Sequence, residues 1–220
     1  MNQRIFAIGD IHGCFNSFKE LVEQKMQLTK SDKLILLGDY IDRGTQSKEV
    51  IDFIMELKQN KFDILPLRGN HEQMLLDALF DEDHLPIWLL NGGDETMKSF
   101  GIDSLTKLAT NYVDFFSSLP LYVEFDNCLF VHAGFNDQIN NPFDDTNHMI
   151  WTSRDKYKHP FLKDKTIVHG HRVIPSHACD QRIKKNDRVI DLDTGCVYTN
   201  YSSYGRLTAL EINSREVFFV

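Results

Sequence analysis

The chain has little basic character, few cysteines and no long apolar run, and each shortage closes off a class of protein. Lys and Arg number 24 against 32 Asp and Glu, which leaves a formal charge of −8 at pH 7. No basic excess remains to neutralise a phosphate backbone, so a general nucleic-acid binder is not expected. A phosphorylated substrate stays open, because bound divalent cations make a site locally positive. The four cysteines, Cys14, Cys128, Cys179 and Cys196, show no C-x-x-C spacing. A chain this long and this apolar needs no disulfide staples, and Cys128 and Cys196, in strand-like surroundings, read as buried thiols. No apolar run approaches membrane-spanning length, and residues 1–8 run into a strand pattern without a signal-peptide core. A cytoplasmic protein with no membrane partner is therefore expected. No repeat, low-complexity tract or linker divides the 220 residues, so one domain is expected over 1–220.

What is present is ordinary globular material, 42% hydrophobic with sixteen Phe and seven Tyr available for a core. Short apolar runs at Arg4 to Ile8, Leu34 to Leu37 and Phe62 to Leu67 read as buried strands. Amphipathic helical patterns alternate with them: Phe15, Phe18, Leu21, Val22 and Met26, then Val50, Ile51, Ile54 and Leu57, then Met74, Leu75, Ala78 and Leu79. Ser17 to Glu20 offers a capping box for the first of these helices. This β-α order implies a parallel sheet with helices on its faces. Residues 84–118 read as a helical insertion beside the sheet, its aromatic and Leu positions serving as packing. Beyond Pro120 come short strands at 121–125, 127–132, 166–169, 188–192, 207–212 and 216–219, with hairpin turns at Asp126-Asn127 and Asn213-Ser214. A second, partly antiparallel sheet packed on the first accommodates them, giving an α/β, four-layer arrangement around a central β-sandwich of mixed sheets. The Asn- and Asp-rich residues 136–148 read as an exposed loop.

Polar residues gather where the apolar runs stop. Asp10, His12, Asp39, Asn70, His132 and His171 each stand beside a strand end with a glycine close by, where ligands of open α/β sheets bind. Carboxylates and imidazoles together suit Mn, Fe or Zn, and a carboxylate using both oxygens can bridge two cations. Six such side chains without a ligand would leave polar groups at sheet ends with nothing to satisfy them. His148, His159 and His177 lack any comparable surroundings and read as structural.

The segments Gly9-Asp10-Ile11-His12-Gly13, Gly38-Asp39-Tyr40-Ile41-Asp42-Arg43-Gly44, Gly69-Asn70-His71-Glu72, His132-Ala133-Gly134 and His169-Gly170-His171 resemble, in order, the signature of calcineurin-like metallophosphoesterases. Within that superfamily they are most similar to small bacterial and phage-type members of the phosphoprotein phosphatase branch. The resemblance implies the metallophosphoesterase fold and two divalent metal ions, manganese first, with iron, zinc or nickel as alternatives. It implies that Asp10 and His12 hold one metal, that Asp39 bridges both, and that Asn70, His132 and His171 complete the second, with His169 a neighbour. His71 would be the general acid oriented by Asp42, while Arg43 and Arg154, the latter in a Trp151-Thr152-Ser153-Arg154 segment, would grip phosphate oxygens. Arg172 departs from the pattern, standing where relatives often carry Thr.

The implied activity is hydrolysis of phosphomonoesters, foremost on phosphoserine or phosphothreonine proteins with phosphotyrosine as a further substrate, by direct attack of a hydroxide shared between the metals. The alternative within the superfamily is a dinucleoside tetraphosphate hydrolase. Those enzymes tend to carry a non-acidic residue at the position of Asp42, so Asp42 favours the phosphatase, and Glu72 leans the same way. A third reading is a non-catalytic metal-binding scaffold.

Overall fold

A computed structural model describes residues 3–220. The first apolar runs form parallel strands β1 (Ile5–Ile8), β2 (Lys33–Leu36) and β3 (Asp63–Pro66). They are connected by α1 (Phe15–Glu20), which widens into a π-type turn at Leu21–Lys25, and by α2 (Ser47–Gln59). The helix α3 (Asn70–Phe80) follows β3. The inferred capping box does not form: α1 starts at Phe15, after Cys14, so Ser17 already lies inside the helix. No side chain caps that start.

Residues 82–117 are mainly helical, with α4 (Leu85–Trp88), α5 (Asp94–Phe100) and α6 (Thr110–Ser117), and they place Trp88, Leu105, Phe115 and Phe116 on the same apolar face as α1 and α2. The strands β4 (Tyr122–Phe125), β5 (Cys128–Val131), β6 (Thr166–His169) and β7 (Val189–Asp191) make a four-stranded sheet in that order. Asp126-Asn127 is the tight turn between β4 and β5, with Asp126 left-handed at φ 52°. The last strands, β8 (Thr208–Glu211) and β9 (Val217–Phe219), join the first sheet beside β1, giving the order β3-β2-β1-β8-β9.

Alternation along the strands explains the layering. Ile5, Ala7 and Ile35 face Phe130, Val168 and Ile190 across the space between the sheets. Phe6, Ile8, Leu34 and Leu36 face the helices on one outer side. On the other outer side Leu129, Val131 and Ile167 meet Phe135, Met149, Tyr157 and Leu162. Residues 136–148 are therefore only partly loop: Phe143 stacks on Tyr122, and α7 (Thr146–Trp151) begins inside the segment, capped by the Asp145 carboxylate. The Asn- and Asp-rich composition signalled that cap rather than a continuous loop. The helix α8 (Ser176–Lys184) precedes β7. All four cysteines are free thiols; Cys196 is buried, whereas Cys128 is only partly so. None of the described helices is long and apolar enough to cross a membrane.

Candidate active site

The C-terminal ends of β1, β2, β3, β5 and β6 point to one place, and the six sequence-derived ligand candidates converge there. Asp10, His12, Asp39, Asn70 and His132 are all buried, with His171 at the rim. Several occupy left-handed backbone, His12 at φ 45°, Asp39 at 53° and His171 at 71°, along with Asp42 at 70° and Arg43 at 68°. Each such conformation costs about 1 kcal/mol or more for a side chain with a Cβ, and strain of this kind collects at functional sites. Two glycines make the approach of these loops possible. A Cβ on Gly69 would stand 2.1 Å from Asp39 Oδ1, and one on Gly170 would stand 2.0 Å from Asp10 Oδ1.

Two donor clusters share Asp39. Its Oδ1 is 3.5 Å from His132 Nε2, while its Oδ2 is 3.6 Å from His12 Nε2. Around the first oxygen, Asn70 Oδ1, His132 Nε2 and His171 Nδ1 lie 2.9, 3.2 and 3.0 Å from one another. Donors bound ~2.1 Å from one cation stand roughly 3.0–3.4 Å apart, so this set fits a divalent ion. The tautomers agree. His132 Nδ1 lies 2.9 Å from the Leu37 carbonyl and donates its hydrogen there, leaving an Nε2 lone pair that faces the Asn70 oxygen. Two acceptors so close repel unless a cation lies between them. His12 likewise donates from Nδ1 to the Ile41 carbonyl, freeing Nε2. Burial, aided by His71, pushes the His12 pKa down to about 3, and burial with His132 pushes His171 down to about 4. Both rings are therefore neutral, the form that binds metals. Asp10 stands slightly apart, its carboxylate accepting the His171 backbone N–H at 3.1 Å. Burial and the neighbouring Asp193 and Asp39 raise its pKa, a strain that a nearby cation relieves.

His71, which with His12 and Asp39 makes up one of the two donor clusters, is paired with Asp42, its Nδ1 2.7 Å from Oδ2. Asp42 is fully buried and also accepts from Trp88 Nε1 at 3.0 Å and Thr96 Oγ1 at 2.6 Å. Burial works to lower the His71 pKa, but Asp39 and Asp42 outweigh it and the net shift is upward. The ring's Nε2 is buried without a hydrogen-bond partner, 3.9 Å from Asp39 Oδ2. Trp88 and Thr96 belong to the helical insertion whose apolar positions the sequence reading assigned to packing. The available signal was the Gly92-Gly93 break between them, which lets this segment fold against Arg43, whose N–H donates to the Gly92 carbonyl at 3.3 Å. Arg43 Nη1 reaches His12 Nε2 at 2.9 Å, using the lone pair that a cation would take. Arg154 lies further out, partly exposed, with Nη1 3.6 Å from Asp137.

Glu72 holds the loops in register. It is fully buried and accepts the backbone N–H groups of Asp39, Tyr40 and Gly69 at 2.8–2.9 Å. Glu72→Ala leaves three buried donors unpaired and is expected to lower stability by roughly 3 kcal/mol or more. Urea unfolding reads this directly, and a loss below about 1 kcal/mol would refute the bracing role.

Residues 3–198 match the model for the calcineurin-like phosphoesterase family. The chain belongs to the calcineurin-like phosphoesterases. It is 28% identical to the asymmetrical bis(5'-nucleosyl)-tetraphosphatase of Anoxybacillus flavithermus, covering 97% of this chain and 92% of that protein. It is also 28% identical to serine/threonine-protein phosphatase 2 of Salmonella typhimurium, over 78% of this chain and 81% of the relative. A solved structure provisionally described as a diadenosine tetraphosphatase superposes with a TM-score of 0.69 at 21% identity, covering 99% of this phosphoesterase and 93% of that chain. This phosphoesterase is thus an enzyme with both protein phosphatases and tetraphosphate hydrolases among its relatives, and its family implies divalent metal ions.

Proposed function

We propose that this phosphoesterase hydrolyses phosphomonoesters, foremost those of serine and threonine in proteins, within a single domain spanning 1–220. The observation that carries this reading is the buried Asp42–His71 pair, whose free Nε2 faces the bridging carboxylate. A seryl or threonyl alkoxide is a poor leaving group and needs a proton, whereas a nucleotide departing from a tetraphosphate needs little help. A pair of residues held by Trp88 and Thr96 in one orientation suits the harder departure.

Asp10, His12 and Asp39 would hold one divalent cation, and Asp39, Asn70, His132 and His171 the other. Manganese is the first choice, with iron, zinc or nickel as alternatives, since this donor set accepts several. When bound, such ions supply Lewis-acid charge and water made acidic near neutral pH. As water attacks phosphorus in line, one P–O bond forms while the ester P–O bond breaks. His71 then gives its Nε2 proton to the departing oxygen. Asp42 keeps the ring oriented and charged. Arg43 would leave His12 for the non-bridging phosphate oxygens, and Arg154 would swing in from Asp137 to the same oxygens, each stabilising charge that grows in the transition state.

The full-length likeness to an asymmetrical tetraphosphatase supports a second reading, hydrolysis of dinucleoside tetraphosphates. Assays of the manganese-loaded chain on a phosphothreonine peptide and on diadenosine tetraphosphate separate the two. The proposed phosphatase has the higher kcat/KM on the peptide by about tenfold or more, one tenfold step being about 1.4 kcal/mol of transition-state binding. A preference of that size for the tetraphosphate overturns it.

A further inference from the structure

The loop that carries Arg154 has little of its own to hold it. Among the described residues, no backbone hydrogen bond is made by Ser153, Arg154, Asp155 or Lys156. Arg154 is itself loosely engaged: its Nη1 stands 3.6 Å from Asp137, and its buried Nε has no partner. Asp155, the next residue along, supplies the tie. Arg172 Nη2 donates to Asp155 Oδ1 at 2.5 Å, and Arg182 Nη1, from α8, donates to the same oxygen at 2.9 Å.

An ion pair at the surface contributes little by itself, because two long side chains lose freedom for a screened attraction. Arg172 has a second partner that changes this. Its Nε lies 3.6 Å from Oδ2 of Asp191, at the end of β7. Asp191 is fully buried; its Oδ1 accepts the Asp193 N–H at 3.0 Å, while its Oδ2 has no hydrogen-bond partner. A buried carboxylate without a counter-charge is strongly destabilising, so this attraction holds Arg172 in place. The guanidinium thus stands between a buried acid and an exposed one, its planar fork addressing both. Arg172 also follows His171 directly, so the tie runs from the loop of Arg154 to the strand end that offers a candidate metal ligand. Thr at this position would have neither the length nor the charge to make it.

We propose that Arg172 is a positioning residue, which by anchoring Asp155 keeps Arg154 within reach of a phosphate bound in the active site. This role extends the phosphate grip proposed for Arg154 and depends on it. Arg182 shares the anchor from the other side of the same carboxylate oxygen.

The test compares the manganese-loaded full chain with R172T and with D155N, which leaves the residue beside His171 untouched. Both variants are expected to raise the inhibition constant of inorganic phosphate about fivefold or more, measured on p-nitrophenyl phosphate, with metal content as in the parent chain. Hydrogen exchange, which does not depend on turnover, is expected to quicken at residues 153–156 in both. R172K, which can pair with Asp155 but has no fork to span both acids, is expected to recover part of the loss. In an R154A background, either change is expected to move the constant by less than about twofold, because the residue acted through is already gone. A further shift as large as in the parent would mean that Arg172 meets phosphate itself, and would overturn the proposal. An unchanged constant or unchanged exchange in both variants would overturn it too. If R154A left phosphate inhibition unaltered, the grip proposed for Arg154 would fall and the positioning role with it. Inhibition weakened by R154A but not by R172T or D155N would remove the positioning role alone.

Discussion

Asp39→Asn is expected to lower kcat on any phosphoester by about a thousandfold, or roughly 4 kcal/mol in the barrier, and to lower metal content with it. Among the described residues, Asp39 is the side chain whose two oxygens address both donor clusters, Oδ1 toward His132 and Oδ2 toward His12. An amide keeps the shape and one acceptor, and that oxygen still suffices for the His71 backbone N–H, which lies 3.1 Å from Oδ1. The loop is therefore expected to stay in place while the negative charge between the clusters is lost. Elemental analysis after manganese loading and extensive dialysis is expected to find fewer than two ions per chain. A variant that retains two tightly held ions would show that Asp39 is not the bridge, whatever happens to its rate.

His71→Asn separates proton donation from metal binding. On an alkyl phosphate such as a phosphoserine peptide, the rate is expected to fall by about 10²–10⁴. On p-nitrophenyl phosphate, whose leaving group departs without a proton, the loss is expected to be at least about tenfold smaller. The same variant is expected to keep the cation held by Asn70, His132 and His171, which converge on one another without help from His71. Equal losses on the two substrates would remove His71 from the acid role and point to a positional one. The hydrogen bonds from Trp88 and Thr96 to Asp42 give a graded control: T96V and W88F are expected to follow the same leaving-group dependence, more weakly.

Periodicity made the sheet legible. Runs such as Ile5–Ile8 and Lys33–Leu36 are short, apolar and separated by helical patterns, and that arrangement leaves little choice but parallel strands under helices. The candidate ligands were legible for a related reason. A carboxylate or imidazole beside a glycine at a strand end is out of place in a buried strand, so Asp10, Asp39 and His132 stand out against their neighbours. Arg154 shows the limit of that logic. Its place near a Trp suggests a phosphate contact, yet nothing local says that Asp137 lies close enough to engage it.

Covalent order by itself determined the strand-helix alternation, the strand-end position of each polar group and the family signature, because all three are written within a few residues of chain. Only the tertiary structure decided that Asp39 offers one oxygen to each cluster, that Trp88 and Thr96 reach Asp42 from the helical insertion, and that Arg154 rests beside Asp137. These are contacts between distant segments, set by how the sheets stack and how the helices dock on them. Short-range pattern carries no information about such distances, because the side chains concerned are compatible with many partners until the packed core selects one.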